Sequence, residues 1–228
     1  MTARLIDGPA TAPATVLLAH GAGAPMDSPF LETIAKGLAA RGWRVVRFEF
    51  PYMARQRQQG RRAAPDRLPK LLEAFRAQLE LEAGGPPLVL AGKSLGGRVA
   101  TLLLAETSCS SFSAAAGSPR AALCFGYPFH PPGKPESLRT AHLQTLTRPT
   151  LIVQGERDSF GRRAEVEGYR LPQAIRLAWI PEADHSLRPT RRSGLDEAAA
   201  LALAVAHADG FLRELVAGPY APPSAEGP

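Results

Sequence analysis

Six short apolar runs, each stopped by a glycine or a proline and separated by helix-length segments, leave few architectures open to this chain. The runs are Thr15–Ala19, Arg44–Phe50, Leu88–Ala91, Ala121–Phe125, Thr150–Gln154 and Ile175–Ile180. They stop at His20-Gly21, Pro51, Gly92, Gly126, Gly155 and Pro181. Runs that are apolar throughout, rather than alternating, belong to strands buried on both faces, as in a parallel sheet. Helical patterns fill the gaps. Ser28 and Pro29 open a helix that runs to about Arg41 and ends at Gly42. Leu68–Glu82 carries Leu68, Leu71, Leu72, Phe75 and Leu79 on one stripe, Ser94–Glu106 forms the next helix, and Leu195–Leu215 the last. Strands alternating with helices give right-handed crossovers and a doubly wound, mostly parallel α/β sheet of about six to seven strands. Residues before Thr15 offer at most one short edge strand.

At 228 residues the chain suits one domain, 1–216, followed by a Pro/Gly/Ser-rich tail, 217–228, expected to fray. Pro131–Pro149 has room for a loop and a short helix, so no large lid is expected. Cys109 and Cys124 share no metal-ligand spacing and read as reduced thiols. No signal-peptide pattern and no run near the ~18 apolar residues of a membrane span is present, which predicts a cytoplasmic protein. The net charge is +6, and arginines cluster at Arg55, Arg57, Arg61, Arg62 and Arg67. Without interleaved aromatics the cluster reads as a solvated loop, and no nucleic-acid partner is expected. No metal-binding or nucleotide motif occurs, so no cofactor and no metal are expected. Oligomeric state is not legible.

The chemistry concentrates at Gly92-Lys93-Ser94-Leu95-Gly96-Gly97, a G-x-S-x-G motif between a predicted strand and a predicted helix. That context is the nucleophile elbow of the α/β-hydrolase fold. The serine sits in a tight, strained turn, and side chains at the flanking glycines would collide with neighbouring elements. Ser94 is thereby held at a helix N-terminus, with the Leu95 N–H directed at a developing oxyanion. His20-Gly21-Ala22-Gly23-Ala24 follows the first long strand, and Ala22 is the expected second oxyanion donor. His20 reads as a buried structural histidine.

An activated serine needs a base, and the base an orienting carboxylate, in the chain order Ser, acid, His for this fold. Gly155-Glu156-Arg157-Asp158 supplies Asp158 as the acid, and Asp184-His185-Ser186 supplies His185 as the base. Glu156 reads as a turn residue, and Asp184 is poorly placed to reach its own neighbour's imidazole. His130 and His142 are expected at the surface. Lys93 is either a charged probe at the mouth of the site or, the commoner arrangement, turned away from the attack face. Arg98 shares a helix face with Ser94. Tyr52 and Arg55 are candidates to line the pocket.

Taken with Arg47-Phe48-Glu49-Phe50-Pro51-Tyr52-Met53, these motifs resemble the compact α/β-hydrolases of the testis-expressed protein thirty and nonspecific-lethal complex subunit type, whose bacterial members are dienelactone-hydrolase-like. The resemblance spans roughly residues 14–216. It implies a Ser-His-Asp triad at Ser94, Asp158 and His185, little or no lid, and no settled substrate. The expectation is a serine hydrolase of an ester, thioester or related small-molecule acyl substrate, with acyl transfer to another nucleophile left open. A non-catalytic interaction module on the same scaffold is the alternative.

Overall fold

The computed structural model describes residues 3–109 and 118–218. Among these, seven strands form one sheet: β1 (Arg4–Asp7), β2 (Thr15–Ala19), β3 (Arg44–Phe48), β4 (Leu88–Lys93), β5 (Ala121–Phe125), β6 (Thr150–Gly155) and β7 (Ile175–Ile180). Their order is β1-β3-β2-β4-β5-β6-β7, with β1 antiparallel at the edge and all other pairs parallel. The apolar runs have the predicted consequence: every residue of β2, β5 and β6 is buried.

Two apolar layers flank the sheet. Leu31, Ile34 and Leu38 of α1 (Pro29–Ala39) pack with Ala204, Ala208 and Leu212 of α6 (Glu197–Ala217) on one face. Phe75 of α3 (Leu68–Leu81) and Val99 and Leu103 of α4 (Leu95–Cys109) cover the other. Asp196, inside the predicted span of the last helix, is its N-cap, so the helix starts at Glu197 rather than Leu195, and the cap accepts from Ala199 N at 2.7 Å. Ala217 completes α6 and Gly218 caps it; the rest of the expected tail, 219–228, lies outside the described residues. Between β5 and β6 the chain carries only a short 3-10 turn at Ala141–Thr145, so no lid domain stands there.

One segment departs from its sequence reading. The run Arg44–Phe50 stops as a strand at Phe48, and the presumed arginine-rich loop begins as helix α2 (Pro51–Gln59). Pro51 takes the first helical position and Gly60 ends the helix at φ +64°. With only Tyr52 and Met53 buried, the segment has no apolar stripe for periodicity to detect. Its charges are also less free than the composition implies. Arg55 pairs with Asp66 at 2.7 Å, while Arg57 bridges Asp27 at 2.8 Å and buried Glu49 at 2.6 Å. Cys124 is a free, buried thiol; Cys109 lies outside the described side chains. No helix among the described residues is long and apolar enough to cross a membrane.

Because β3 lies on one side of β2 and β4 on the other, the connections diverge between β2 and β4. The crevice beyond the carboxyl ends of strands at such a switch point is where open α/β sheets bind ligands.

Candidate active site

The loops leaving β2, β4, β5, β6 and β7 meet at that crevice. Ala19 pairs with Gly92, so the chain leaving β2 lies beside the chain leaving β4. Ser94 follows β4 at φ +51° and its N–H donates to Phe125 O at 3.0 Å, tying the turn to β5. The glycines around it are required by contact. A Cβ on Gly92 would stand 2.2 Å from the Gly96 carbonyl carbon, and one on Gly96 would stand 2.6 Å from Ala19 O.

Ser94 Oγ lies 2.8 Å from His185 Nε2, and His185 Nδ1 lies 2.8 Å from Asp158 Oδ2. A neutral imidazole protonated on Nδ1 satisfies both contacts, accepting from the serine and donating to the carboxylate. Asp158 is fully buried, and its other oxygen accepts from Phe160 N at 2.8 Å. The Phe160 ring stacks on the imidazole, with centroids 4.1 Å apart. His185 sits in a loop whose ends are bent by Glu182 and Leu187, both at positive φ, and braced by Asp184 N donating to Arg188 O at 3.0 Å. The loop is seated on the sheet edge at Gly155, where a Cβ would stand 2.4 Å from Asp184 O.

The loop after β2 is pinned from behind. His20 is buried, donates from Nδ1 to Gly21 O at 2.7 Å and accepts from Phe50 N at 3.0 Å on Nε2. Burial holds its pKa below the ordinary histidine value, so it stays neutral and structural. Tyr52 Oη donates to the Gly21 and Ala22 carbonyls at 3.3 and 3.2 Å. Leu95 opens α4, so its N–H belongs to the first turn, which has no intrahelical acceptor.

A cavity of about 340 Å³ surrounds these groups. It is lined by Gly21–Ala24, by Ser28, Phe30 and Leu31 at the start of α1, by Lys93 and Ser94, and by Phe160, His185 and Ser186. Neither Tyr52 nor Arg55 lines it. Tyr52 is fully buried behind the Gly21–Ala22 carbonyls, and Arg55 is turned to Asp66. Position next to a strand end put both near the crevice, but Tyr52 needed a partner for its hydroxyl and Arg55 for its charge. A larger groove of about 460 Å³, bounded by Thr147, Ala174, Phe211 and Leu215, opens by the opposite strand ends.

The rivals are accounted for elsewhere. Glu156 accepts from Glu182 N at 2.9 Å and pairs with Arg163 at 2.7 Å. Asp184 Oδ1 accepts from Ser186 N at 2.8 Å and Arg188 N at 3.0 Å. His130, expected at the surface, is buried and contacts Glu165 at 3.2 Å. His142 is half-buried, 2.9 Å from Thr101 Oγ1, and desolvation takes its pKa down to about 4. Both sit on the loop after β5, which packs His142 against Thr101 of α4 and His130 against Glu165, a path set by tertiary packing. Arg98 turns toward this second cluster, with its buried Nε unpartnered.

Of the two arrangements left open for Lys93, the structure shows it lining the cavity. One group escaped the sequence reading. Gln154, inside the apolar β6 run, is fully buried and holds Asp158: its Nε2 donates to Asp158 Oδ2 at 2.8 Å and its Oε1 accepts from Tyr127 N at 2.7 Å. A polar residue in a strand buried on both faces must find partners, and that was the available signal. Among the described residues no group of three or more His, Cys, Asp or Glu side chains could hold a metal ion.

The sequence profile of the alpha/beta hydrolase domain family matches residues 12–213. Among solved structures, a dienelactone hydrolase from Anabaena variabilis is similar at 21% identity, with a TM-score of 0.68 and coverage of 92% of this chain and 90% of that one. A lidless α/β serine hydrolase from Xanthomonas campestris aligns at 19% identity and TM-score 0.65, covering 94% and 89%. An alpha-beta serine hydrolase homologue from Coxiella burnetii aligns at 18% identity and TM-score 0.65, covering 93% and 90%. At these identities the likeness is one of fold.

Proposed function

The chain belongs to the alpha/beta hydrolase domain family, and on that premise we propose that it is a serine hydrolase of carboxylic esters, thioesters or a related acyl bond, working through Ser94, His185 and Asp158. Within the family we take it to be of the compact testis-expressed protein thirty type, on the motifs quoted above, acting as one cytoplasmic domain over residues 1–216. The observation that carries the reading is the unbroken line Ser94 Oγ–His185–Asp158, with 2.8 Å at each step, opening on a cavity.

His185 takes the Ser94 proton as the oxygen attacks the acyl carbonyl. Asp158 keeps the imidazole in its Nδ1–H tautomer and stabilises the charged form. The Ala22 and Leu95 N–H groups receive the oxyanion. The proton passes from His185 to the leaving group, and water, activated by the same imidazole, releases the acid. The small residues of Gly21–Ala24 let the carbonyl approach the backbone closely, and a cavity of about 340 Å³ with no lid over it suits a short acyl group.

The test is intact-mass analysis after incubation with a fluorophosphonate, on the wild type and Ser94→Ala. One adduct on the wild type that disappears in the variant is the expected result. No adduct on folded wild type would overturn the reading and favour a non-catalytic, partner-binding role.

A further inference from the structure

The wall of the Ser94 cavity is neutral except at one place. Apart from His185, the single titratable side chain lining it among the described residues is Lys93. Its Nζ donates to His185 O at 2.6 Å and lies 5.6 Å from the centroid of the Phe30 ring. Lys93, Phe30 and His185 all line the cavity, and the ammonium stands beside Gly126, where a Cβ would lie 2.9 Å from Nζ. An ammonium has three donors and the His185 carbonyl uses one.

No carboxylate among the described residues pairs with it. Asp158 is committed to His185, Gln154 and Phe160 N, and Asp184 to the amides of its own loop. Both act on Lys93 only as more distant charges, and desolvation takes its pKa down to about 8. A half-buried cation without a counter-ion gains when an anion arrives to meet it. The rest of the wall is glycine, alanine, serine, leucine and phenylalanine, which contributes no competing charge.

We propose that Lys93 is a specificity-determining residue of this cavity, and that the acyl groups it selects carry a carboxylate a few bonds from the scissile carbonyl. The inference rests on the serine-hydrolase reading of the same cavity. Lys93 is bound to the base loop and stands next to the nucleophile in sequence, so the substrate anion is held at a fixed distance from Ser94.

The experiment compares the para-nitrophenyl half-ester of glutarate with para-nitrophenyl valerate, which has the same chain length and no charge. In the wild type, kcat/KM for the half-ester should exceed that for the neutral ester. In Lys93→Met the ratio should fall at least about tenfold, the effect of one charge-assisted hydrogen bond, with most of the change in KM. Any general loss from releasing the His185 carbonyl cancels in the ratio. A wild type without the preference, or a variant in which both esters slow in proportion, would overturn the proposal and leave Lys93 as a tether alone. Calorimetric titration of glutarate into Ser94→Ala, with and without Lys93→Met, decides the point without turnover. Binding should weaken about tenfold on loss of the lysine, and equal affinities would refute the site. If neither ester is hydrolysed and Ser94 takes no fluorophosphonate, the hydrolase reading fails separately, and the glutarate titration still judges Lys93.

Discussion

Replacing Gln154 by leucine should cost both stability and activity, for reasons that can be counted. The side chain is fully buried on β6. Its Oε1 accepts from Tyr127 N at 2.7 Å, and its Nε2 donates to Asp158 Oδ2 at 2.8 Å and to Tyr127 O at 3.1 Å. Leucine has about the same size and none of these groups. The buried Tyr127 N–H is left without its acceptor, a penalty of ~1–3 kcal/mol. Loss of the charge-assisted bond to Asp158 removes ~1.5–3 kcal/mol. Greater apolar burial by leucine returns ~1–2 kcal/mol. The net destabilisation is about 2–4 kcal/mol, and at ~2–4 °C per kcal/mol for a domain of this size Tm should fall by roughly 5–15 °C. Asp158 keeps its bonds to His185 and Phe160 N, so the triad should loosen rather than vanish, lowering kcat on an aryl ester by about 10–100-fold, as outer partners of a functional group do elsewhere. Thermal melts followed by circular dichroism, together with steady-state kinetics, check both. A variant that melts with the wild type and turns over within a factor of about two would refute the argument that this amide positions Asp158. Gln154→Glu is the companion variant. It sets a second carboxylate against Asp158, the two cannot both stay ionised, and activity should fall further than in the leucine variant.

Two further outcomes follow from close approaches and burial. Gly155→Ala puts a methyl group 2.4 Å from Asp184 O and 2.5 Å from Ala183 O, both backbone atoms; the base loop must lift, and fluorophosphonate labelling of Ser94 should slow by more than tenfold while far-ultraviolet dichroism is retained. His142 has a folded pKa of about 4 against an ordinary 6.5. As pH falls through 6.5 the unfolded chain takes up this proton first, so the site contributes a loss of stability between about pH 6.5 and 4. Urea melts of His142→Gln should show a flatter pH dependence than the wild type across that window, and parallel profiles would exclude the assignment.

How much of this was legible beforehand depends on the range over which each feature is decided. Ser94 announces itself because the elbow is local: the glycines at 92 and 96 are dictated by contacts within one strand–turn–helix unit and the adjoining end of β2. The apolar runs placed six strands to within two residues at their ends, since burial on both faces leaves its mark residue by residue. Helix α2 left no such mark, because its apolar residues are confined to its first turn. The surroundings of His130 and His142 depend on where the loop after β5 folds back, which no nearby residue dictates.

The sequence by itself determined the sheet, the G-x-S-x-G turn and the order in which the proposed nucleophile, acid and base come along the chain. Only the tertiary structure decided which way each polar side chain points. It turned Lys93 into the cavity by offering the His185 carbonyl as a partner, and sent Tyr52 behind the Gly21–Ala22 loop. It matched Arg57 to Asp27 and Glu49, and set Gln154 across Asp158. Apolar burial is written into local pattern because any apolar neighbour will serve. A hydrogen bond or an ion pair needs one partner at one angle, whether that partner lies four residues along the chain, as Asp158 does for Gln154, or 92, as His185 does for Lys93.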